Sequence, residues 1–479
     1  MAGPATSSST APGGSGRGPS LRLLVVADFA PGREAGPVDV TGGLEAALAA
    51  LAPTLSVPGR AGASVSLRFD SLDDFHPDAI ARQVPAPPPA PAPAGPLDSL
   101  LAQVKVPAAD GRGLQAAEIV QAEPFRALEA DWRGLDFLVR RAAAAHPTIQ
   151  AAVKIELLAA SKEAFLDAFF DTVFAAEHDG ASEIPLSAVV LGYEFDRSPA
   201  DVETLRHAAR MGESLRIPFL AAVGAPFWGL RQARLLAGLP DLVRKVQGPE
   251  YAKWNGLRAE EASLWLCLAA NRLLLRNAWS EGGTPLWGCG AYALAAVLVQ
   301  GFAAGGVGFP LAGDPSRLPD LPGAPPVEVL LPDAKTLELA RIGLSPLTAA
   351  RGETTAHFPS LPTLHAPKRY DKEEATRSAA IVATLPYQAF GGAAAHALQS
   401  LARATGGGLE PEEVRRRFSD GLLAFLAGAE EAPAAEEVEV EVQPSAGDPG
   451  IWEVLARLRP KFQIYGGDVD LVLGSVVPR

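Results

Sequence analysis

Cysteine is almost missing from this chain: Cys267 and Cys289 are the two in 479 residues, both in apolar surroundings. A disulfide-stapled fold is thereby excluded, and a reducing, cytoplasmic compartment is expected. Basic residues are also in deficit, 42 against 55 acidic ones, for a net charge of -13. General nucleic-acid binding needs a basic face to displace phosphate counterions, so no nucleic-acid partner is expected. Sequence signatures of common chemistries are missing as well. There is no GxxxxGK[ST] phosphate cradle, no HExxH, no GxSxG and no CxxC. One stretch lacks charge, from Glu281 to Asp314, and 286–304 is largely apolar. Glycines interrupt it and no Lys or Arg flanks it, so it is expected to be a buried core helix, with no membrane insertion. Residues 1–20 carry no apolar signal region and are expected to be a disordered tail.

What the chain does have is hydrophobic residues, 48% of it, enough for several buried cores. Glycine and proline are abundant, 47 and 43 residues, and they concentrate in three places: the tail, a PAPPPAPAPAGP run at 85–96, and 310–332. The second is expected to be an extended spacer and the clearest domain boundary. The third is expected to be a surface loop. Before the spacer, 21–27 reads as a buried strand, 44–51 as a helix, 64–69 as an alternating strand and 71–84 as an acidic turn leading into a helix from Pro77. After it, 125–141 spaces Leu128, Trp132, Leu135 and Val139 as a helix face. Strands at 153–158, 186–191 and 217–223 then alternate with helices at 161–175 and 199–215, which implies a parallel α/β core. Residues 256–279 and 288–304 are predicted as long apolar helices, followed by helices at 335–342, 375–385 and 411–426. Near the C-terminus, Glu alternates with Val438, Val440 and Val442, and the pattern returns at Val469, Leu471 and Leu473. Strict alternation argues for strands. The fold class expected is mixed α/β: a parallel α/β core, helical insertions and C-terminal strands.

Several features imitate a site. GCGAYA at 288–293 resembles part of a dinucleotide fingerprint, but no acidic strand end follows at the right distance, so close helix packing is the simpler account. His357 and His365 lie in a Pro-rich segment without a carboxylate cluster, Asp73, Asp74 and Asp78 suit a helix start, and Cys267 reads as a core residue on a helix face. No metal, cofactor or catalytic residue is assigned. An α/β core can still carry a site at strand ends such as GYE at 192–194 or GAP at 224–226.

The ordered segments LEADWRGL at 128–135, LGYEF at 191–195, IPF at 217–219, WNGLR at 254–258, LWG with AYA at 286–293, LPY at 385–387 and LRPKFQ at 458–463 resemble the larger of the two contractile-sheath proteins of type VI secretion systems (TssC or VipB family). The region before the spacer, with LLVVADF at 23–29, LRF at 67–69 and DDFHPDAI at 73–80, is similar to the smaller sheath protein (TssB or VipA). The resemblance implies that an N-terminal part like the smaller protein (21–85) is joined through the spacer (86–96) to a core like the larger one (97–430), with a strand-rich assembly region at 431–479. The usual C-terminal half of the smaller protein is missing, and the N-terminal extension of the larger one is shortened.

Such a chain is expected to be a non-enzymatic structural protein that assembles as a helical homopolymer around an inner tube, meets baseplate proteins and is recycled by a disassembly ATPase. Contraction would draw its free energy from rearranged interfaces. Strands with unpaired backbone groups can complete a neighbour's sheet. Val438, Val440, Val442, Val469, Leu471, Leu473 and Val476 mark the candidate strands for interaction between copies. Two alternatives remain: a diverged cap, baseplate or regulatory component that does not polymerise, and an α/β enzyme with an unrecognised nucleotide site.

Overall fold

Leu23, Val25 and Ala27 point to one side of the first strand and Leu24 and Val26 to the other, and all five are fully buried. A strand apolar on both faces belongs in the middle of a sheet covered twice. The computed structural model places it there, describing residues 20–58, 64–85, 111–144, 152–281, 283–306, 311, 316–427 and 434–479. The predicted tail, apart from Ser20, and the spacer at 86–96 lie outside the described residues.

Among the described residues, β1 (Ser20–Ala27) pairs in parallel with β5 (Ala152–Ala159) on one side and with β6 (Ala188–Phe195) on the other. Beyond β6 come β7 (Phe219–Val223), β8 (Leu266–Ala270) and β11 (Leu344–Pro346), all parallel, while β2 (Ala35–Asp39) closes the other edge antiparallel to β5. A hairpin of β3 (Thr54–Pro58) and β4 (Ser64–Arg68) stands apart, and α1 (Glu45–Leu51) and α2 (Pro77–Gln83) accompany it. One face of the sheet is covered by α4 (Glu123–Ala144), which follows α3 (Gly111–Ile119), and by α6 (Gly290–Gly305). The opposite face carries α5 (Pro199–Leu215) and the aromatic set Phe165, Phe169, Phe219 and Trp254. Ser198 caps α5 by accepting from the Asp201 N–H, and Pro199 occupies its first turn, where a missing N–H costs nothing.

Two expectations fail here. Residues 256–279 are not a helix. After a short helix at Ala252–Ala259 and a 3-10 segment at Glu261–Trp265, the chain runs through β8 and then β9 (Leu273–Arg276), which pairs with β10 (Leu286–Gly288). All five residues of β8 are buried, so Cys267 sits on a strand with Ala269 on one sheet face and Leu266, Leu268 and Ala270 on the other. A strand buried on both faces has no period of two to betray it. Nor is the described part of 310–332 a surface loop: Leu318 and Val327 are fully buried and Leu321, Val329 and Leu331 nearly so, crossing the sheet's end as irregular backbone. Composition signals a lack of regular structure there, not a lack of burial.

The C-terminal module has its own core. Helices α7 (Leu385–Ala404) and α8 (Pro411–Leu426) pack on one face of an antiparallel sheet ordered β14 (Val438–Pro444), β15 (Ile451–Leu458), β18 (Leu471–Pro478). Short pairs β12 (Thr348–Ala349) with β13 (Ala356–His357), and β16 (Gln463–Ile464) with β17 (Gly467–Asp468), complete the strands. The module is pinned to the parallel core where His396 Nε2 meets the Leu215 carbonyl at 2.8 Å and the Leu361 N–H donates to Tyr465 at 2.7 Å.

Candidate assembly site

Glu and Val alternate along β14 because one face is wet and the other dry. Val438 and Val440 are buried against α8, while Glu439 and Glu441 are exposed. The central strand β15 pairs along its whole length with both neighbours, Val440 opposite Ala456 and Ala456 opposite Leu473. Both β14 and β18 therefore pair within the chain. Among the described residues each pairs on one side only, which leaves the backbone of the other side of both strands available to a further strand. Of the candidate side chains, Val438, Val440, Val469 and Leu471 are buried in the module's core, Val442 and Leu473 are half-buried, and Val476 is exposed. Exposed Val476 shares the outer face with Val472 and Leu455, three large apolar side chains 59%, 51% and 45% exposed. Beside them Arg457 grips Asp470 through both nitrogens at 2.7 and 2.5 Å, which holds the Asp470 carboxyl below its ordinary range. This pair fixes the loop that launches β18.

The carboxyl end of the parallel sheet is the place where α/β folds bind ligands. It brings together the two strand-end segments singled out from sequence: Glu194 of β6 lies against Gly224, and Arg272 holds Glu194 with Glu328 3.8 Å away. The cavity between them measures ≈ 20 Å³, space for about one water. Nearby, Asp131 is half-buried beside Asp28 and accepts from its backbone N–H. Burial, and then Asp28's charge, push the Asp131 carboxyl well above the ordinary range. Burial likewise lifts the Cys267 thiol to about 12. Gly290 starts α6 where an added Cβ would stand 2.6 Å from both Ala269 Cβ and the Asn271 carbonyl, so the glycines of 288–293 serve close packing. Among the described residues no three His, Cys, Asp or Glu side chains converge as metal ligands, and no helix is long and apolar enough to cross a membrane.

Two polar networks are not evident from sequence motifs. Glu129 is fully buried and binds Arg276 at 2.7 and 2.6 Å and Arg133 at 2.8 Å, tying α4 to β9. The Arg276 guanidinium also stacks on Trp279, 4.4 Å from the ring centre. A signal exists, because Phe125, Leu128, Glu129 and Trp132 share the i, i+3, i+4, i+7 stripe, and a carboxylate inside an apolar stripe needs a partner. Asn271, at φ 100°, donates to the Val329 and Leu347 carbonyls and accepts from the Val329 N–H. It lies in the stretch predicted as a helix, which conceals its role.

With this geometry in hand, the family model described as VipB (EvpB/VC_A0108, tail sheath N-terminal domain) matches residues 113–365, more than half of the chain. The chain belongs to the VipB tail-sheath family. A relative, the type VI secretion system sheath protein TssC1 of Pseudomonas aeruginosa strain PAO1, is 28% identical over 408 residues, 74% of this chain and 81% of that protein. The solved helical sheath of the anti-feeding prophage in its contracted state aligns with 96% of this chain and 91% of its own, at 12% identity and a TM-score of 0.40. The VipB match covers β5 to β11 but neither β1 nor β2, nor the C-terminal module.

Proposed function

We infer that the chain is a structural component of a type VI secretion-type contractile sheath, joining an N-terminal part like the smaller sheath protein (21–85) to a core like the larger one in a single polypeptide. Membership of the tail-sheath family supports the sheath role. The observation that carries the fusion is the place of β1. Residues outside the family match supply an interior strand of the parallel sheet, paired from Ser20 with Ala152 to Ala27 with Ala159. Arg22 adds a two-way ion pair, with Glu156 at 2.8 Å and Glu177 at 2.6 Å. A sheet completed by a strand from elsewhere in sequence is the intramolecular counterpart of strand addition between two chains.

The module of β14, β15 and β18 is the proposed assembly region, each outer strand offering one side to a neighbouring copy, so that head-to-tail contacts propagate as a helix. Proposed partners are the inner tube, the baseplate and a disassembly ATPase, in the cytoplasm, and the chain works without catalysis of its own. Negative-stain imaging of the purified protein, alone and with a candidate tube protein, tests this. Tubes or ring stacks are expected; monodisperse particles at high concentration under both conditions would refute the polymer.

A further inference from the structure

We propose that a basic cleft between the parallel core and the C-terminal module receives the acidic face of β14 from a second copy of this chain, an inference that rests on the sheath assignment for its biological setting. The cleft measures ≈ 470 Å³ and opens between the end of the helix Asp333–Arg341, the loop at 360–369 and the helix Glu373–Val382. Its basic lining comprises Arg341, His365, Lys368, Arg369 and Arg377, and no carboxylate lines it. Glu373 and Glu261 stand outside it, 3.7 Å from Arg377 and 3.9 Å from Lys368, both largely solvated. His365 is occupied, its Nδ1 3.0 Å from the Glu260 carbonyl and 3.1 Å from Ser263. Among the described residues the Arg341 and Arg369 guanidinium groups have no carboxylate within 4.0 Å.

Charge selects the occupant. Copies of a chain with net charge -13 repel one another, so a repeated contact is favoured at an oppositely charged meeting point. The sequence concentrates six glutamates within 430–441. Of these Glu437 is buried and held by Lys461, whereas Glu436, Glu439 and Glu441 are exposed, Glu439 with Arg459 of its own chain 3.9 Å away and largely solvated. Glu439 and Glu441, two residues apart on a strand, project to the same side about 7 Å from each other, a spacing two guanidinium forks can meet. Because cleft and strand lie at different places on one molecule, the contact is head-to-tail.

The test mixes two tagged full-length variants, Arg369→Cys and Glu441→Cys, under mild oxidation. The native thiols do not interfere, since Cys267 and Cys289 are 0% and 8% exposed. A mixed disulfide at least about tenfold above that from Arg351→Cys with Glu441→Cys is expected, decreasing with salt as the ion pairs are screened. Charge reversal at the remaining basic side chains, Arg341→Glu with Arg377→Glu in the Arg369→Cys variant, should abolish it, and adding Glu436→Lys with Glu439→Lys in the Glu441→Cys variant should restore it. Polymers without the cross-link overturn the cleft contact and leave the sheath role standing. The cross-link without polymers does the reverse, and the absence of both overturns both.

Discussion

Replacing Glu129 by leucine should cost as much as truncating a large core side chain, because it strands a buried cation. Arg276 is 7% exposed, and its charge is met by two hydrogen bonds to one carboxylate that is itself fully buried. Removing one partner of such a pair typically costs about 3–5 kcal/mol, while replacing both by apolar side chains is often neutral. Glu129→Leu should therefore lose about 3–5 kcal/mol, and Glu129→Leu combined with Arg276→Met should recover most of that loss. Arg133, 18% exposed at its side chain, can turn to water and softens the effect only slightly. Equilibrium urea unfolding followed by tryptophan fluorescence reads the difference, since Trp279 lies on the Arg276 guanidinium. At a slope of about 3 kcal/mol per molar urea, the single variant's midpoint should move by about 1–1.7 M. A single-variant loss below about 1 kcal/mol, or a double variant whose loss equals the sum of the two singles, would refute the reasoning.

Other perturbations have equally definite outcomes. Gly134→Ala places a methyl inside the contact shell of the buried Tyr292 ring, and overpacking should outweigh the better helix propensity by about 1–2 kcal/mol in the same unfolding assay. The Asp131 carboxyl is raised in the folded state, so its contribution favours folding below about pH 3.8 and is lost as pH rises through the folded value. Asp131→Asn should consequently stabilise the protein at about pH 7.5 and much less at about pH 4. Val472→Lys with Val476→Lys on the exposed face of β18 should leave the melting temperature within a degree or two yet stop polymer growth in electron micrographs. A protease site placed within 86–96 should, once cut, leave the N-terminal piece bound under native conditions; release with the remainder still folded would contradict β1's central place.

The parallel core is legible wherever polar residues interrupt the apolar ones. Pro199–Leu215 shows its cap and its proline in sequence, and the glutamates of 437–442 announce β14 because each separates two apolar positions or opens the run. Legibility fails where burial is complete. The run from Leu266 to Arg276 reads the same whether wound or extended, and only the left-handed Asn271 marks the turn between its two strands. Strand order is invisible for a different reason: no local property of residues 21–27 says that 152–159 and 188–195 will flank them. At the candidate assembly site, the alternation reveals the strands, but which of their side chains face water depends on α7 and α8, whose placement it does not encode.

The central position of β1 also has a consequence in time. Synthesis delivers Ala27 long before Ala159, and at about 5–20 residues per second the two ends are about 7–26 s apart. Through that interval an apolar strand with two open sides must wait for partners not yet made. In a two-chain protomer the same strand would wait for a diffusing partner, at a rate set by how much of it the cell contains. Here the delay is fixed by the length of one chain and not by the supply of another.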